Sequence, residues 1–432
     1  MILKNKIKLI LANDLNKKIL NGGGWILLGN IISKFILLVA TILLAKYLGK
    51  DEYGQFGIIK STILMFAMFA GLELGMTSTK YISQYKIRDK DKVRRVVGLS
   101  TLFSMVISCL VSFLVCVFAP QIASQINAPK LNDIIRISSL ALLFSSLNGI
   151  QGGILAGLEK FKEISINNVL AGCISSVLLI VAARYFNLKW VVVAFVLNFF
   201  FLFLFNFLTL RKSFYSEFDV KLFSRENFKE LEVLWKFSFP AILAGMMISP
   251  VVWICNYFLV NQPNGYSAMA EFDIANQWRN TILFIPTALA QIVLPMLASS
   301  VDDREEYKVI FNKNLKVNFV LGFFMVFIFI VLTPLIVHFY GENYERTTYP
   351  MIIMFITTGF ITVNNVIGQA IASQGRMWLG FYVNLLWAIV LISNCYLLVD
   401  IYQLGAVGIS LAYLISYVVH TFLQFLYVKQ FL

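Results

Sequence analysis

Apolar stretches of about twenty residues recur along this chain, and hydrocarbon offers no partner for a free backbone N–H or C=O. A stretch of that length and composition is therefore satisfied across a bilayer only as a helix. Twelve such spans are expected, near 24–45, 55–79, 96–118, 134–157, 164–186, 189–210, 233–260, 271–298, 316–338, 349–372, 378–399 and 404–428. Of the 432 residues 59% are apolar and 14% charged, whereas soluble domains are about a quarter charged. The fold class is all-α and polytopic. The net charge of +13 falls in short runs between spans, where it reads as a topology signal and not as a nucleic-acid surface. No nucleic-acid partner is expected.

One set of loops carries Lys4 to Lys18, Lys80 to Arg95, Lys160, Lys162, the Arg211 to Lys236 segment, Arg304 to Lys316, Arg376 and Lys429. The opposite set has only Lys46, Lys50, Lys130, Arg136, Arg184, Lys189 and Arg346. Both termini are thus expected in the cytoplasm of a multi-pass plasma-membrane protein. Residues 1–20 read as a basic amphipathic cytoplasmic N-terminus, 21–212 as a first six-helix lobe, 213–231 as a cytoplasmic linker and 232–432 as a second six-helix lobe. Cys109, Cys116, Cys173, Cys255 and Cys395 stand singly in apolar segments, so neither a metal nor a redox cofactor is expected.

The two halves carry a repeat. Shifted by 216 positions, LNGIQGGILAGLEKF and VNNVIGQAIASQGRM pair Asn148 with Asn364, Gly152 with Gly368, Ala156 with Ala372 and Lys160 with Arg376; Asn168 pairs with Asn384. A shift of 219 sets Lys60 opposite Arg279. Six spans between equivalents keep the repeat parallel, which implies a pseudo-two-fold axis along the membrane normal and a path between the lobes.

Ionisable groups inside the spans are costly and mark candidate sites. Lys34 lies near the midplane between Trp25 and Lys46, and at about 100° per residue Asn30, Lys34 and Thr41 share one sector. Lys60 sits close enough to the outer end of its span that a cavity-facing and a snorkelling orientation both stay open. Arg279 flanks a polar stripe of Asp273, Gln277, Asn280, Thr287 and Gln291. Glu73 and Asp273 are the carboxylates deep enough for coupling to H+ or Na+, or for neutralising a basic neighbour; Glu73 does not share a helix face with Lys60. His338 and His420 occur singly, as packing or hydrogen-bonding residues. Pro240, Pro250, Pro286, Pro295 and Pro334 fall inside the seventh to ninth spans, where proline can bend a helix.

The run LAKYLGKDEYGQFGIIKSTILMFAMFAGLELGMTSTKYIS, with Lys46, Leu48-Gly49, Tyr53-Gly54-x-Phe56 and Gly71-Leu72-x-x-Gly75, resembles the amino-terminal signature of polysaccharide and O-antigen repeat-unit flippases. These transporters belong to the multidrug/oligosaccharidyl-lipid/polysaccharide exporter superfamily. Ala372-Ser373-Gln374-Gly375-Arg376 and Gly405-Ala406-Val407-Gly408 are similar to two further turns of that superfamily. The resemblance implies two pseudo-symmetric six-helix lobes in a V around a central cavity, as in multidrug (MATE) exporters. It also implies alternating access, no catalytic residues, and a polyprenyl-diphosphate-linked oligosaccharide moved to the outer leaflet of a bacterial inner membrane. Polymerase and chain-length machinery are the implied partners besides membrane lipid. Basic residues on the first, second and eighth helices receive the diphosphate in related flippases; here those helices carry Lys34, Lys60 and Arg279. A multidrug exporter, the alternative within the superfamily, would carry acids in its first helix. A polymerase or ligase would need a positioned acid and base near the outer face, commonly on a sizeable outer loop; the outer loops here are short.

Overall fold

The first two expected spans form one helical run, α1 (Asp14–Gly71), interrupted at Gly49, whose φ of 74° and ψ of 172° lie outside the helical region. Glycine alone takes such a conformation at no steric cost. The computed structural model describes residues 14–71, 74–233, 248–284, 286, 287, 293, 296, 297, 300 and 302–429. The chain continues as α2 (Leu74–Tyr85), α3 (Lys90–Val117), α4 (Ala119–Gln125), α5 (Asn132–Gly157), α6 (Phe161–Tyr185) and α7 (Leu188–Ser213). The second half holds α8 (Ser249–Val260), α9 (Gly265–Ile282), α10 (Arg304–Tyr340), α11 (Thr348–Ser373), α12 (Met377–Cys395) and α13 (Gly405–Val428).

Among the described residues no strand occurs, and nine helices are long and apolar enough to cross a membrane, with α1 counted once from Ile31. The seventh and eighth expected spans, 233–260 and 271–298, run into residues outside those described, so the expected number of twelve is not reached by counting. Pro250 stands in the first turn of α8, where the missing N–H costs nothing. Pro334 does lie inside α10. Pro240 and Pro295, like residues 1–13 of the basic N-terminus, fall outside the described residues.

The described residues divide into two compact units. The first draws on Met1–Leu44, Ile63–Ser124 and Ala128–Met246, the second on Ala45–Thr62, Gln125–Asn127 and Met247–Leu432. Residues 45–62, which the sequence assigns to the first lobe, therefore pack with the second.

In the first unit α2 and α5 meet backbone to backbone. A Cβ on Gly75 would lie 2.9 Å from the Gly149 carbonyl carbon, and one on Gly153 would lie 2.8 Å from that of Gly75. The Thr79 hydroxyl donates to Gly153 O at 3.0 Å across this contact. Small residues permit such an approach, the usual means of helix association where lipid supplies no hydrophobic drive. The segment after α7 is not a free linker. Lys90 pairs with Glu217 at 2.7 Å, Arg94 with Glu226 at 3.2 Å and Arg95 with Glu230 at 2.9 Å. Buried Asn227 donates to the carbonyls of Lys221 and Leu222 beneath them.

The repeat appears in backbone hydrogen bonds. After α5, Leu158 N, Glu159 N and Lys160 N donate to the carbonyls of Ile154, Ala156 and Leu155; after α11, Gln374 N, Gly375 N and Arg376 N donate to those of Ala370, Ala372 and Ile371. These are the same three bonds at the same offset of 216. The left-handed position is Glu159 in one (φ 61°) and Gly375 in the other (φ 69°). Each half also carries a side-chain hydrogen bond between its last two helices, at positions that the offset of 216 does not pair. Asn167 on α6 donates to Asn206 on α7 at 2.9 Å, while Asn384 on α12 meets His420 on α13 at 3.1 Å. Because Asn384 Oδ1 can only accept, His420 Nε2 carries the proton, and Nδ1 accepts from Asn364 Nδ2 at 3.1 Å.

Candidate functional site

The second unit assembles its charged groups where residues 45–62 lie along α9. Gly54 makes the approach possible, since a Cβ there would lie 2.6 Å from the Tyr266 carbonyl carbon. Gly57 leaves room for Met269, whose methyl would be 3.3 Å from a Cβ. Lys50 Nζ then reaches Glu271 Oε1 at 2.5 Å. Lys60 Nζ grips both oxygens of Asp273, at 2.9 and 2.8 Å. Tyr53 OH donates to the same carboxylate at 3.3 Å. Only 9% of the Asp273 side chain and 26% of that of Lys60 stay exposed. The Tyr53-Gly54-x-Phe56 element of the signature is thus a packing element: Tyr53 holds the carboxylate, Gly54 admits α9, and the buried ring of Phe56 lies 5.9 Å beneath Lys60 Nζ.

Arg279 has a different environment. Its residue is half-buried, its Nη2 donates to Asn280 Oδ1 at 3.2 Å, and its guanidinium carbon stands 5.2 Å from the centroid of the Tyr413 ring on α13. Among the described residues Nε and Nη1 are buried with no hydrogen-bond partner, and so is the Tyr413 hydroxyl. Among the described residues no carboxylate lies within ion-pair distance of Arg279. A cation–π contact offsets only part of the cost of burying a guanidinium, so the site presents donors without acceptors. Trp278, beside it, is fixed by donating to Tyr340 OH at 3.0 Å.

The other expected residues are placed as follows. Lys34 is half-buried on α1 in the first unit, on the far side of the Gly49 break from Lys60. Thr41 is buried and donates to Leu37 O and Leu38 O of its own helix, so its hydroxyl is turned to the backbone. Asn30 lies in α1, with its side chain outside the described residues, as is Glu73 altogether. Gln277 is half-buried on α9 and Asn280 is exposed. Asp273 and Lys60, which were separate candidates in the sequence, are one pair. Sequence reasoning passed over Tyr53 as a ligand of that pair, Lys50 and Glu271 as a second pair, and Tyr413. The first stood inside a signature motif, whereas nothing in the spacing marked Tyr413.

The first unit has a cavity of its own, of about 430 Å³, walled by Gly71, Gly75, Gly149, Gly152, Ser145 and Thr79, with Met68 and Met76. It is the outcome of the glycine-mediated contact between α2 and α5.

Residues 42–349 match the family model described as "Polysaccharide biosynthesis protein". The chain belongs to that family. Over 426 residues it is 24% identical to the "Putative O-antigen transporter" of Shigella flexneri, covering 95% of this chain and 98% of that protein. It is 27% identical over 200 residues to the "EPS I polysaccharide export inner membrane protein EpsE" of Ralstonia solanacearum, covering 45% of this chain and 44% of that one. The chain thus spans less than half the length of that Ralstonia relative. Among solved structures it is similar to the lipid II flippase MurJ in an inward closed conformation, with a TM-score of 0.74 at 16% identity over 93% of this chain and 87% of that one. An inward-facing MATE transporter gives a TM-score of 0.72 at 15% identity over 92% and 95%. At those identities the likeness establishes the fold, which is that of the exporter superfamily expected from the motifs. The relatives are named as transporters and exporters, not as enzymes.

Proposed function

We propose that this protein is a flippase for a polyprenyl-diphosphate-linked oligosaccharide, moving it from the cytoplasmic to the outer leaflet by alternating access. The observation that carries the reading is Arg279: two buried guanidinium nitrogens and the neighbouring Tyr413 hydroxyl are donors with no acceptor among the described residues. A phosphate oxygen supplies what they lack, and the planar fork of arginine suits two-point contact with it. The family match and the named transport relatives support the substrate class. An organic cation, the cargo of a multidrug exporter, would be repelled at this position. Asp273 serves the reading as the counter-charge that anchors Lys60, and Lys34 as a second basic group for the diphosphate. Coupling to H+ or Na+ and handover to a polymerase belong to the same proposal.

The test is an export assay in a deletion strain complemented with Arg279→Ala and Arg279→Lys. Arg279→Ala should lower surface glycan at least tenfold at unchanged membrane level, with the lipid-linked glycan accumulating inside, and Arg279→Lys should retain part of the export. Normal surface glycan with Arg279→Ala at normal protein level would remove the diphosphate role.

A further inference from the structure

A second cavity, of about 370 Å³, opens in the second unit between α10, α11 and α13. Its wall is almost wholly apolar: Phe319 and Phe323 on α10, Phe360 and Val363 on α11, Phe425 on α13. The Phe319 and Phe323 rings stand 4.5 Å apart. Gly359 lets Phe323 lie against α11, because a Cβ there would be 3.3 Å from the ring. The polar residues of the lining are Lys316 and Asn312, about one and two turns above Phe319 on α10, and Thr421.

The depth of this groove follows from the length of α10. Its 37 residues make a helix of about 55 Å, against a hydrocarbon core of about 30 Å. The apolar stretch begins directly after Lys316, so Lys316 stands at the headgroup level with its stem along the wall. From Lys316 to Phe323 the groove descends about 10 Å into hydrocarbon. On α13 the matching end is Phe425, with Lys429 Nζ 5.5 Å from its ring centroid. Lys316 and Lys429 are both exposed and neither forms an ion pair among the described residues. Around the groove, α10 turns Val317, Val320, Phe324 and Phe327 outward, as a lipid-facing helix does.

We propose that this groove holds one acyl chain of an anionic phospholipid, with the lipid phosphate between Lys316 and Lys429. Lys316 in the lining and Lys429 beside the Phe425 ring favour a headgroup of net negative charge over a zwitterionic one. The volume, near the lower end of the roughly 300–1,000 Å³ of ligand pockets, admits a chain segment and no glycan. The site is separate from Arg279 and stands whether or not the flippase reading does.

The test uses the purified full chain in detergent, titrated with dioleoyl phosphatidylglycerol or dioleoyl phosphatidylcholine and read by native mass spectrometry. Wild type should retain phosphatidylglycerol preferentially. Lys316→Gln with Lys429→Gln should erase that preference, about fivefold per lysine from the usual attraction of a basic residue to an anionic surface. Thr421→Phe, which fills the groove, should lose both lipids; should it misfold, the lysine pair decides, since both positions are exposed. Equal retention of the two lipids by wild type, or a preference unchanged in the lysine variant, overturns the proposal. Displacement of phosphatidylglycerol by an equal concentration of a polyprenyl monophosphate also overturns it, assigning the groove to the carrier tail.

Discussion

Separating the Lys60–Asp273 pair should damage the protein far more than deleting it. At 2.8 Å and an effective dielectric of about 20, the attraction is roughly 6 kcal/mol before desolvation. Desolvating two ions takes back several kcal/mol. Removing one partner strands the other where it is largely shielded, at a typical cost of about 3–5 kcal/mol; the 26% exposure of Lys60 puts Asp273→Asn near the lower end. Lys60→Met leaves Asp273 with only Tyr53 as donor and should cost as much. The double variant, with two groups of similar size and no stranded charge, should lie within about 1 kcal/mol of wild type, a coupling of roughly 4–5 kcal/mol or more by the same arithmetic. At 1.4 kcal/mol per factor of ten, each single variant lowers the folded ratio at least a hundredfold. The assay is thermal unfolding of a fluorescent fusion followed by size exclusion, with surface glycan measured in parallel. The double variant should regain both folded yield and export to within about fivefold, on the order of 1 kcal/mol. A double variant as unstable as the singles would refute the pairing argument. One that is stable but unable to export would show that Lys60 also meets substrate.

Gly54→Ala should prevent residues 45–62 from seating on α9 and lower thermal stability by about 2–3 kcal/mol, as backbone overpacking does, measurable in the same unfolding assay. Gly375→Ala, at φ 69°, should cost about 1–2 kcal/mol. Glu159→Gly should stay within about 0.5 kcal/mol of wild type, relief of the left-handed strain being offset by a looser unfolded chain and by loss of the half-exposed Lys86 pair. His420→Ala strands buried Asn364 and should destabilise by about 1–3 kcal/mol, with His420→Gln nearer wild type. Gly98→Ala would press on the amide of Asn227, 2.6 Å from the added carbon; faster tryptic cleavage at Arg225 and Lys229 is the expected readout.

What the sequence made legible was periodic or local. Runs of apolar residues disclosed the spans, and an offset of 216 disclosed a turn whose three hydrogen bonds repeat bond for bond. The signature around Tyr53 was recognisable as a pattern, yet its purpose lay in a contact with α9 more than two hundred residues away, which no local period records. For the same reason Lys60 and Asp273 looked like two candidates: a helical wheel gives the face a residue occupies but not the neighbour that face meets. Arg279 fell off the polar stripe of its span, and that geometric misfit foreshadowed its seat against Tyr413. The limits of α10 were misjudged because an apolar window begins at Lys316, whereas Asp303, accepting from the N–H groups of Glu305 and Glu306, starts the helix twelve residues earlier.

The Gly49 break lies in a segment that has a bearing on how such a chain can be cut and recombined. Residues 45–62 come early in the gene but supply the counter-ions of Glu271 and Asp273. A fragment beginning at the midpoint segment would therefore inherit two shielded carboxylates with no lysine to meet them. A chimera of two relatives joined at that segment would marry the lysines of one parent to the acids of the other. Exchanging 45–62 together with the second half keeps each pair within one parent, which makes the junctions after Leu44 and after Thr62 further natural seams, beside the midpoint, for building hybrids.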